Sequence, residues 1–149
     1  MIQFQREKIT KELFEESLPL LKRHYEEIAQ FKDIPLEVDI NQYVLLDEAK
    51  ITRLFTARKN GALVGYANYF VRKHPHFNSS VQALSDVLYI DSSYRGFGMS
   101  FLRFCEVELT KEGVEQVYQS VNPEHDFGKL LERCGYVKAD IQYSKKLGG

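Results

Sequence analysis

The chain has 149 residues, of which 44% are hydrophobic and 28% charged, and its formal net charge is -1. This composition is typical of a folded globular protein, and the length suits one domain, residues 1–149, with one substantial core. Lys and Arg are scattered among acidic residues, which argues against a nucleic-acid partner, and no apolar run approaches the roughly 20 residues of a membrane helix.

The N-terminal residues and the two cysteines bear on the cellular compartment. Residues 1–8 lack the apolar segment of a signal peptide. Cys105 and Cys134 are too few and too far apart for a zinc knot or a disulfide framework, although a single disulfide is compatible with them. We therefore expect a reduced, cytoplasmic protein with no metal site and no membrane partner.

The first third of the chain predicts a short strand followed by a helix. Residues 1–5 can form the strand, and Thr10 is a suitable N-cap for the helix. Apolar residues then recur at helical spacing, at Phe14, Leu18, Leu21, Tyr25 and Ile28. Pro19 lies inside this pattern and predicts a kink or a break. Residues 31–41 are predicted to be a loop, with a second short helix after it.

The middle of the chain has the two-residue period of strands. The apolar runs 54–57 and 63–67 flank Asn60-Gly61, a dipeptide typical of a tight β-hairpin. Residues 74–80 are predicted to be a loop. Residues 81–90 are mostly apolar, which predicts a central strand.

The second half predicts two helices separated by a strand. The first helix, residues 98–112, ends at Gly113 and should bury Phe101, Leu102, Cys105 and Leu109. Residues 114–121 form the strand, and a short helix closed by Gly135 follows. Its apolar face contains Phe127, Leu130, Leu131 and Cys134. Residues 136–143 should finish the chain as a strand pair or a bulged strand. The order of elements indicates an α+β fold with a mixed sheet and helices on both faces.

A glycine-rich turn joins the central strand to the helix after it. Its sequence is Tyr94-Arg95-Gly96-Phe97-Gly98-Met99-Ser100. Glycines let backbone N–H groups approach an anion, and the helix start adds unpaired donors and a partial positive charge. Arg95 adds a full charge. The turn therefore predicts a phosphate site, although it fits neither the nucleoside-triphosphate loop nor the dinucleotide fingerprint.

These residues resemble the cofactor motif of the GNAT family, the acetyl-CoA-dependent N-acetyltransferases. The family motif, Q/R-x-x-G-x-G/A, falls on residues 95–100. Residues 88–94 resemble the strand and bulge before that loop, and residues 130–136 resemble the L-Y-E-K-x-G-F ending of the family. The order of elements fits the family over residues 1–147. The resemblance implies a three-layer α/β/α fold around a mixed, mostly antiparallel sheet.

The resemblance also implies that acetyl-CoA is the cosubstrate. Arg95 and the backbone N–H groups of residues 96–100 would bind its pyrophosphate. The backbone of the preceding strand would pair with the pantetheine arm through Leu88, Tyr89 and Ile90. Asn122 resembles the asparagine that contacts this arm, with a plain turn residue as the alternative, and Phe127 is placed to touch the cofactor as well as the core.

Two residues depart from the family pattern. Ser100 occupies the Gly/Ala position, and Leu131 stands where many members carry a tyrosine that protonates the departing thiolate. A thiol with a pKa near ~8.5 leaves acceptably as a thiolate, so this acid is useful but dispensable. Tyr89, Tyr94 or water could replace it. A non-catalytic relative would also lack that tyrosine.

Asp86 is the candidate catalytic residue. An alkyl amine, with a pKa near ~10, arrives protonated and needs a base. Strand alternation would put residues 86, 88 and 90 on one face, with the carboxylate near the thioester. Some GNAT enzymes that act on small amines resemble this chain in carrying an acid there. The alternatives are a cap or surface ion pair, and an anchor for the substrate ammonium.

Three other groups have a functional and a structural interpretation. His24 and Glu27 share a helix face and could bind an amine, although a packed or solvated pair is favoured. His74 and His76 lack a clear third ligand for a metal, and their loop could instead border the acceptor site. Cys134 is expected in the core.

We therefore expect an enzyme that transfers the acetyl group of acetyl-CoA to a primary amine, of a small molecule or a peptide, by direct attack. The alternative is a GNAT-fold CoA-binding or protein-interaction module with little catalysis. Residues 20–28, 79–83 and 130–136 resemble, more narrowly, small acetyltransferases of tailed phages. Because many relatives pair through sheet edges, the C-terminal strand could form a homodimer.

Overall fold

The computed structural model describes residues 1–28 and 35–148. The strands are β1 (Ile2–Glu7), β2 (Thr52–Lys59), β3 (Ala62–His74), β4 (Phe77–Ile90) and β5 (Val114–Tyr118). The α-helices are α1 (Lys11–Ile28), α2 (Ile40–Glu48), α3 (Gly98–Lys111) and α4 (Gly128–Arg133), and a 3₁₀ helix spans Ser92–Phe97. Part of the loop predicted over residues 31–41 lies outside the described residues, and the short helix expected after it is α2.

The sheet has the strand order β1-β2-β3-β4-β5. The first four strands pair antiparallel, and β5 runs parallel to β4. Helices α1 and α2 cover one face of the sheet, and α3 covers the other. The predicted α+β architecture, three layers around a mixed and mostly antiparallel sheet, is confirmed.

The cap, turn and helix face that local sequence signals predict are present in the structure. The Thr10 hydroxyl accepts a hydrogen bond from the Leu13 N–H at 3.1 Å, as an N-cap does. Asn60 and Gly61 have φ values of 50° and 84°, which the tight turn between β2 and β3 requires. The predicted apolar face of α3 is fully buried, and Phe101, Cys105 and Leu109 join Phe55 and Tyr69 in the main core.

Three expectations from the sequence are wrong. The first is the break offered at Pro19 as the alternative to a kink, because α1 is continuous from Lys11 to Ile28 and is held on the sheet by its buried residues Leu13 and Leu20. The loop expected over residues 74–80 is only a two-residue turn, because β3 and β4 remain paired out to His74 and Phe77.

The third concerns the C-terminal segment. Past Tyr118, the part of the chain that the structure describes contains an isolated bridge but no further strand, so the strand pair expected over residues 136–143 does not form. Val137, Ile141 and Tyr143 are 85%, 74% and 93% exposed. Their apolar spacing is compatible with a strand, but a strand also needs a partner, and β5 is only five residues long. The strand expected to support a homodimer is therefore absent from these residues.

Gly65 of β3 pairs with Ile90 at the end of β4, and it has a packing role. A Cβ at this position would lie 3.0 Å from the Tyr89 carbonyl oxygen and 3.2 Å from Ile90 Cγ1. We expect Gly65→Ala to lower the free energy of unfolding by about 1–3 kcal/mol, because the neighbouring strand cannot retreat without losing its pairing. Urea unfolding measures this effect.

The matched control for this prediction is Gly96→Ala. A Cβ on Gly96 would meet nothing within 4 Å. The control should change the free energy of unfolding by less than about 0.5 kcal/mol. Equal stabilities for the two variants would contradict the close approach at Gly65.

Candidate functional site

A β-bulge in β4 places Asp86 at the centre of the candidate site. The register between β3 and β4 shifts between Asn68 and Tyr69, which leaves Asp86 as an extra residue in β4. Asp86 and Val87 consequently both lie on the face of the sheet under α1 and α2. Bulges often re-aim a side chain beside an active site.

The expectation that residues 86, 88 and 90 share one face of the strand is wrong. Leu88 and Ile90 pack into the main core beneath α3, whereas Asp86 lies on the opposite face. The extra residue interrupts the two-residue alternation on which the expectation rested.

Two side chains hold the Asp86 carboxylate in place. The Tyr43 hydroxyl donates to Oδ2 at 2.8 Å, and Asn68 Nδ2 donates to the same oxygen at 3.2 Å. Burial, and then the hydrogen bond to Asp86, raise the pKa of Tyr43 well above its ordinary value, so Tyr43 stays a neutral donor. Within the described ranges, neither a backbone N–H nor a cation pairs with Asp86. Among these residues no donor reaches its Oδ1 atom, so this oxygen can accept a hydrogen bond from a ligand.

A cavity of about 340 Å³ lies between α1, α2 and the sheet, and Asp86 is part of its lining. Its apolar walls include Leu13, Phe14, Leu21, Val38, Leu54 and Leu63. Among the described lining residues, Asp86 is the one acidic side chain, and burial lowers the pKa of His24 to about 4, so this histidine is neutral at pH 7. The volume is that of a small-molecule site.

On the other side of the bulge, β4 and β5 separate. Their pairing ends at Leu84 and Tyr118. From there to Ile90, the edge of β4 that faces away from β3 has no strand beside it in the described residues. An extended ligand could therefore pair with this edge as an added strand does.

Backbone alternation shows which groups face this open edge. The Asp91 N–H donates to the Val64 carbonyl on β3 at 2.8 Å. Because successive residues of a strand point their backbone groups to opposite sides, those of Leu88 and Ile90 face the open edge. The backbone groups of Tyr89 face β3. Of the three residues predicted to pair with a pantetheine arm, two are thus oriented to do so.

The glycine-rich turn forms the 3₁₀ helix and the start of α3. Phe97 is the N-cap residue of α3 and supplies no side-chain hydrogen bond, so the helix start has no side-chain cap. The first turn of α3 contains Gly98, Met99 and Ser100. The Gly98 N–H donates to the Arg95 carbonyl, so the N–H groups of Met99 and Ser100, with the positive end of the helix dipole, are those that suit an anion.

The glycines of this turn are not required by backbone conformation. Positive φ values occur at four other glycines but not at Gly96 or Gly98. A Cβ on Gly98 would make ordinary contact with Leu130 at 3.4 Å, and one on Gly96 would meet open space. The fold therefore gives no reason for glycine at position 96, whereas close approach of a ligand would.

Arg95 joins the turn to the end of α1. Its Nη2 lies 2.7 Å from Glu27 Oε2, and its Nε donates to the Ile90 carbonyl at 3.2 Å. The guanidinium carbon lies 5.7 Å from the centroid of the Tyr89 ring. The Arg95 side chain is 39% exposed. Protein groups thus orient Arg95 and leave it accessible.

His24 and Glu27 both have structural partners. His24 Nδ1 lies 2.9 Å from the Tyr66 hydroxyl, and its ring stacks on Tyr89 with centroids 4.7 Å apart. Glu27 accepts a hydrogen bond from the Tyr89 hydroxyl at 3.2 Å and pairs with Arg95. His24 is therefore packed rather than solvated, at 8% exposed, and its ring also lines the cavity beside Asp86.

The burial of His24 predicts a pH dependence of stability. Burial lowers its pKa from 6.5 to about 4, so between these values the unfolded chain binds a proton that the native protein does not. Stability should therefore fall as pH falls through this range, by about 3 kcal/mol. In His24→Phe this loss should be absent, so its stability should decline less between pH 7 and pH 4.

Urea unfolding at a series of pH values measures this difference. His76→Phe is the matched control, because His76 lies exposed in the β3–β4 turn. Its pH curve should run parallel to that of the wild type. A parallel curve for His24→Phe would show that His24 is not buried as a neutral group.

Three predicted residues lie between β5 and α4 or within α4. Asn122 uses both ends of its amide, because Nδ2 donates to the Ile28 carbonyl and Oδ1 accepts from the Glu124 N–H at 2.9 Å. Phe127 is the half-buried N-cap of α4. Leu131 is 7% exposed and packs in the core. The position compared with the family's tyrosine is therefore apolar and closed.

The remaining candidates lie apart from Asp86. The His76 N–H donates to His74 Nδ1 at 3.0 Å at the tip of the β3–β4 hairpin. Cys105 and Cys134 are free thiols, and Cys105 is buried. Within residues 1–28 and 35–148, no three His, Cys, Asp or Glu side chains come together as a metal ion would need. None of the helices described there is long and apolar enough to span a membrane.

Comparison with solved structures places this geometry in a known fold. An aminoglycoside acetyltransferase from an uncultured soil metagenomic sample, in complex with sisomicin, superposes with a TM-score of 0.75 at 16% identity, over 99% of this chain and 97% of that chain. The ribosomal-protein-alanine N-acetyltransferase of Brucella melitensis biovar Abortus 2308 gives 0.71 at 17% identity, over 99% and 100%. A predicted acetyltransferase of Clostridium acetobutylicum, with acetyl-CoA, gives 0.72 at 11% identity, over 99% and 97%.

The fold is that of the GNAT acetyltransferases. The sequence matches no protein-family model and no curated protein. At these low identities the likeness to GNAT structures establishes the fold alone, and the acceptors named for the neighbours are theirs. The narrower resemblance to phage acetyltransferases is not supported by these structures.

Sequence reasoning missed two residues of the site, Tyr43 and Asn68. Both donate to Asp86, and both line the cavity. Asn68 did carry a signal, because it is a polar residue in the middle of the buried part of β3. Tyr43 carried none, since its role depends on how α2 packs over the sheet.

Proposed function

We propose that this protein is an N-acetyltransferase that transfers the acetyl group of acetyl-CoA to a primary amine by direct attack on the thioester. The observation that carries the proposal is the position of Asp86. Its carboxylate lies on the bulge where β4 parts from β5, between an apolar cavity and an open strand edge. The GNAT fold supports the reaction class.

Acetyl-CoA fits the open edge and the turn beside it. The backbone groups of Leu88 and the N–H of Ile90 would hold the pantetheine arm along β4. The N–H groups of Met99 and Ser100 at the start of α3, and the accessible Arg95, would bind the pyrophosphate. Gly96 would let the backbone approach it closely, and Phe127 would border the cofactor from the start of α4. The backbone of Tyr89 would not contact the pantetheine arm. Its ring would instead help to position the Arg95 guanidinium.

Asp86 would accept one proton from the substrate ammonium, which leaves a neutral amine. The nitrogen then forms a bond to the thioester carbonyl carbon, the C–S bond breaks, and the second proton lost by the nitrogen passes through water to the departing thiolate. Tyr43 and Asn68 hold the carboxylate in one orientation, which is what a general base requires. The Ile90 N–H would face the carbonyl oxygen as charge develops there, an interaction worth roughly 3 kcal/mol.

At the position of the family's general-acid tyrosine stands Leu131, which is apolar and buried. The Tyr89 hydroxyl is engaged by Glu27, and burial raises its pKa. Tyr94 or water would therefore protonate the thiolate. Because the pKa of a thiol is near ~8.5, the thiolate can leave without a general acid.

The buried Leu131 also favours the second candidate, a GNAT-fold module that binds CoA with little catalysis. Two measurements separate the candidates: thermal stabilisation by acetyl-CoA, and release of the CoA thiol when amines are added. Stabilisation with thiol release supports the enzyme, and stabilisation without release across amine classes supports the binding module. Absence of stabilisation would contradict both.

A further inference from the structure

We propose that the cavity lined by Asp86 selects primary amines that carry one positive charge and an apolar body. This inference rests on the proposed acetyl transfer and names the acceptor class for the same site. Three features of the cavity carry it: a single acidic side chain in the described lining, a buried acceptor without a partner beside that side chain, and walls that are mostly apolar.

The polar end of the cavity suits an amino group. Asn68 is 2% exposed, and its Oδ1 atom is buried without a hydrogen-bond partner. The orientation of its amide is fixed because Nδ2 donates to Asp86. A buried acceptor without a donor is rare and calls for an explanation. An ammonium group offers three donors, so it can satisfy Asn68 Oδ1 and the Asp86 carboxylate together.

Several polar side chains of the described walls already have partners, and no second acidic side chain lies among them. The hydroxyls of Ser17 and Thr56 donate to the Phe14 carbonyl and to Glu7, and that of Tyr66 pairs with His24. In the described lining, Asp86 supplies the sole negative charge. A second ammonium group would be buried without a partner, at a large cost. Polyamines and aminoglycosides are therefore disfavoured.

The size of the cavity limits the apolar body. A dry cavity of roughly 150 Å³ in another protein admits benzene. At about 340 Å³, this cavity has room for an aromatic ring with a two-carbon linker, or for an alkyl chain of similar size. Hexylamine and 2-phenylethylamine represent this class.

The first test is a series of primary amines with saturating acetyl-CoA, followed by release of the CoA thiol. From ethylamine to hexylamine, kcat/KM should rise roughly fourfold for each methylene buried. Hexylamine and 2-phenylethylamine should exceed spermidine and sisomicin by at least about 100-fold. A flat dependence on chain length, or a preference for the polycations, would overturn the proposal.

The second test fills the cavity. Ser17→Phe should raise the KM of hexylamine by about tenfold or more and leave that of ethylamine within about twofold, because only the longer amine reaches the occupied space. Val107→Phe is the matched control, on the exposed surface of α3, and should change neither value. If Ser17→Phe fails to fold, Val38→Phe provides the same test from the other wall.

Amine binding measured without turnover separates failure of this inference from failure of the proposed function. Thermal stabilisation by hexylamine but not by spermidine, without thiol release, would retain the cavity assignment and contradict the acetyl transfer. Thiol release that ignores chain length would retain the transfer and contradict the cavity assignment. Neither binding nor release with any amine would contradict both.

Discussion

Replacing Asp86 with asparagine is expected to lower kcat for amine acetylation by roughly 10²- to 10⁴-fold, the contribution typical of a general base. Asparagine keeps the size of the side chain and an oxygen that can accept from Tyr43 and Asn68. The bulge and the open edge of β4 are unaffected, so the Kd of acetyl-CoA should not change. Steady-state kinetics and calorimetric titration measure the two quantities.

The form of the Asp86→Asn defect distinguishes a base from an anchor. Loss of a base lowers kcat, and the deficit should shrink as pH rises towards the pKa of the amine, near ~10. Loss of an ammonium anchor instead raises KM with kcat retained. Asp140→Asn, in the exposed C-terminal segment, is the matched control. Unchanged turnover in Asp86→Asn would remove Asp86 from the mechanism.

Gly96→Asp is expected to raise the Kd of acetyl-CoA by roughly 30- to 100-fold at low salt. The new carboxylate would stand in the turn where the pyrophosphate is proposed to bind, and like charges placed together cost several kcal/mol. Because a Cβ at this position meets open space, the melting temperature should stay close to that of the wild type. Calorimetric titration measures the affinity.

A salt series and a matched variant test whether the loss of acetyl-CoA affinity in Gly96→Asp comes from a charge placed in this turn or from the added charge in general. The affinity difference should shrink as ionic strength rises, since screening weakens exposed charge interactions. Gln3→Glu adds the same charge on β1, at the far edge of the sheet from this turn, and should leave the Kd unchanged. An unaltered Kd in Gly96→Asp would place the pyrophosphate elsewhere.

The elements that could be predicted from the sequence are those with local causes. Thr10, Asn60-Gly61 and Gly113 act through hydrogen bonds and backbone angles within a few residues, and each did what its type predicts. The buried face of α3 was predictable because a helix that packs on a sheet places an apolar residue against it every three or four positions.

The bulge at Asp86 and the fate of the C-terminal segment could not be predicted in this way. The bulge is a mismatch between two strands, so it is not visible in β4 alone. The apolar spacing of residues 136–143 is compatible with a strand. A strand also needs a partner strand of sufficient length, and that partner is formed by another part of the chain.

The candidate site was half predictable for the same reason. Residues 95–100 follow one another in the chain, so their chemistry was visible as a motif. The cavity lining comes from α1, α2 and three strands, and only the packing of these elements brings Asn68 and Tyr43 to Asp86.

The extra residue in β4 also has a consequence for how the site can be gained or lost in evolution. Deleting one residue at the bulge would restore regular pairing and leave no position there for the carboxylate, while the flanking residues stayed the same. Conversely, a single codon inserted into an ordinary strand could supply that position. Relatives of this protein are therefore best compared by the number of residues in the strand as well as by residue type.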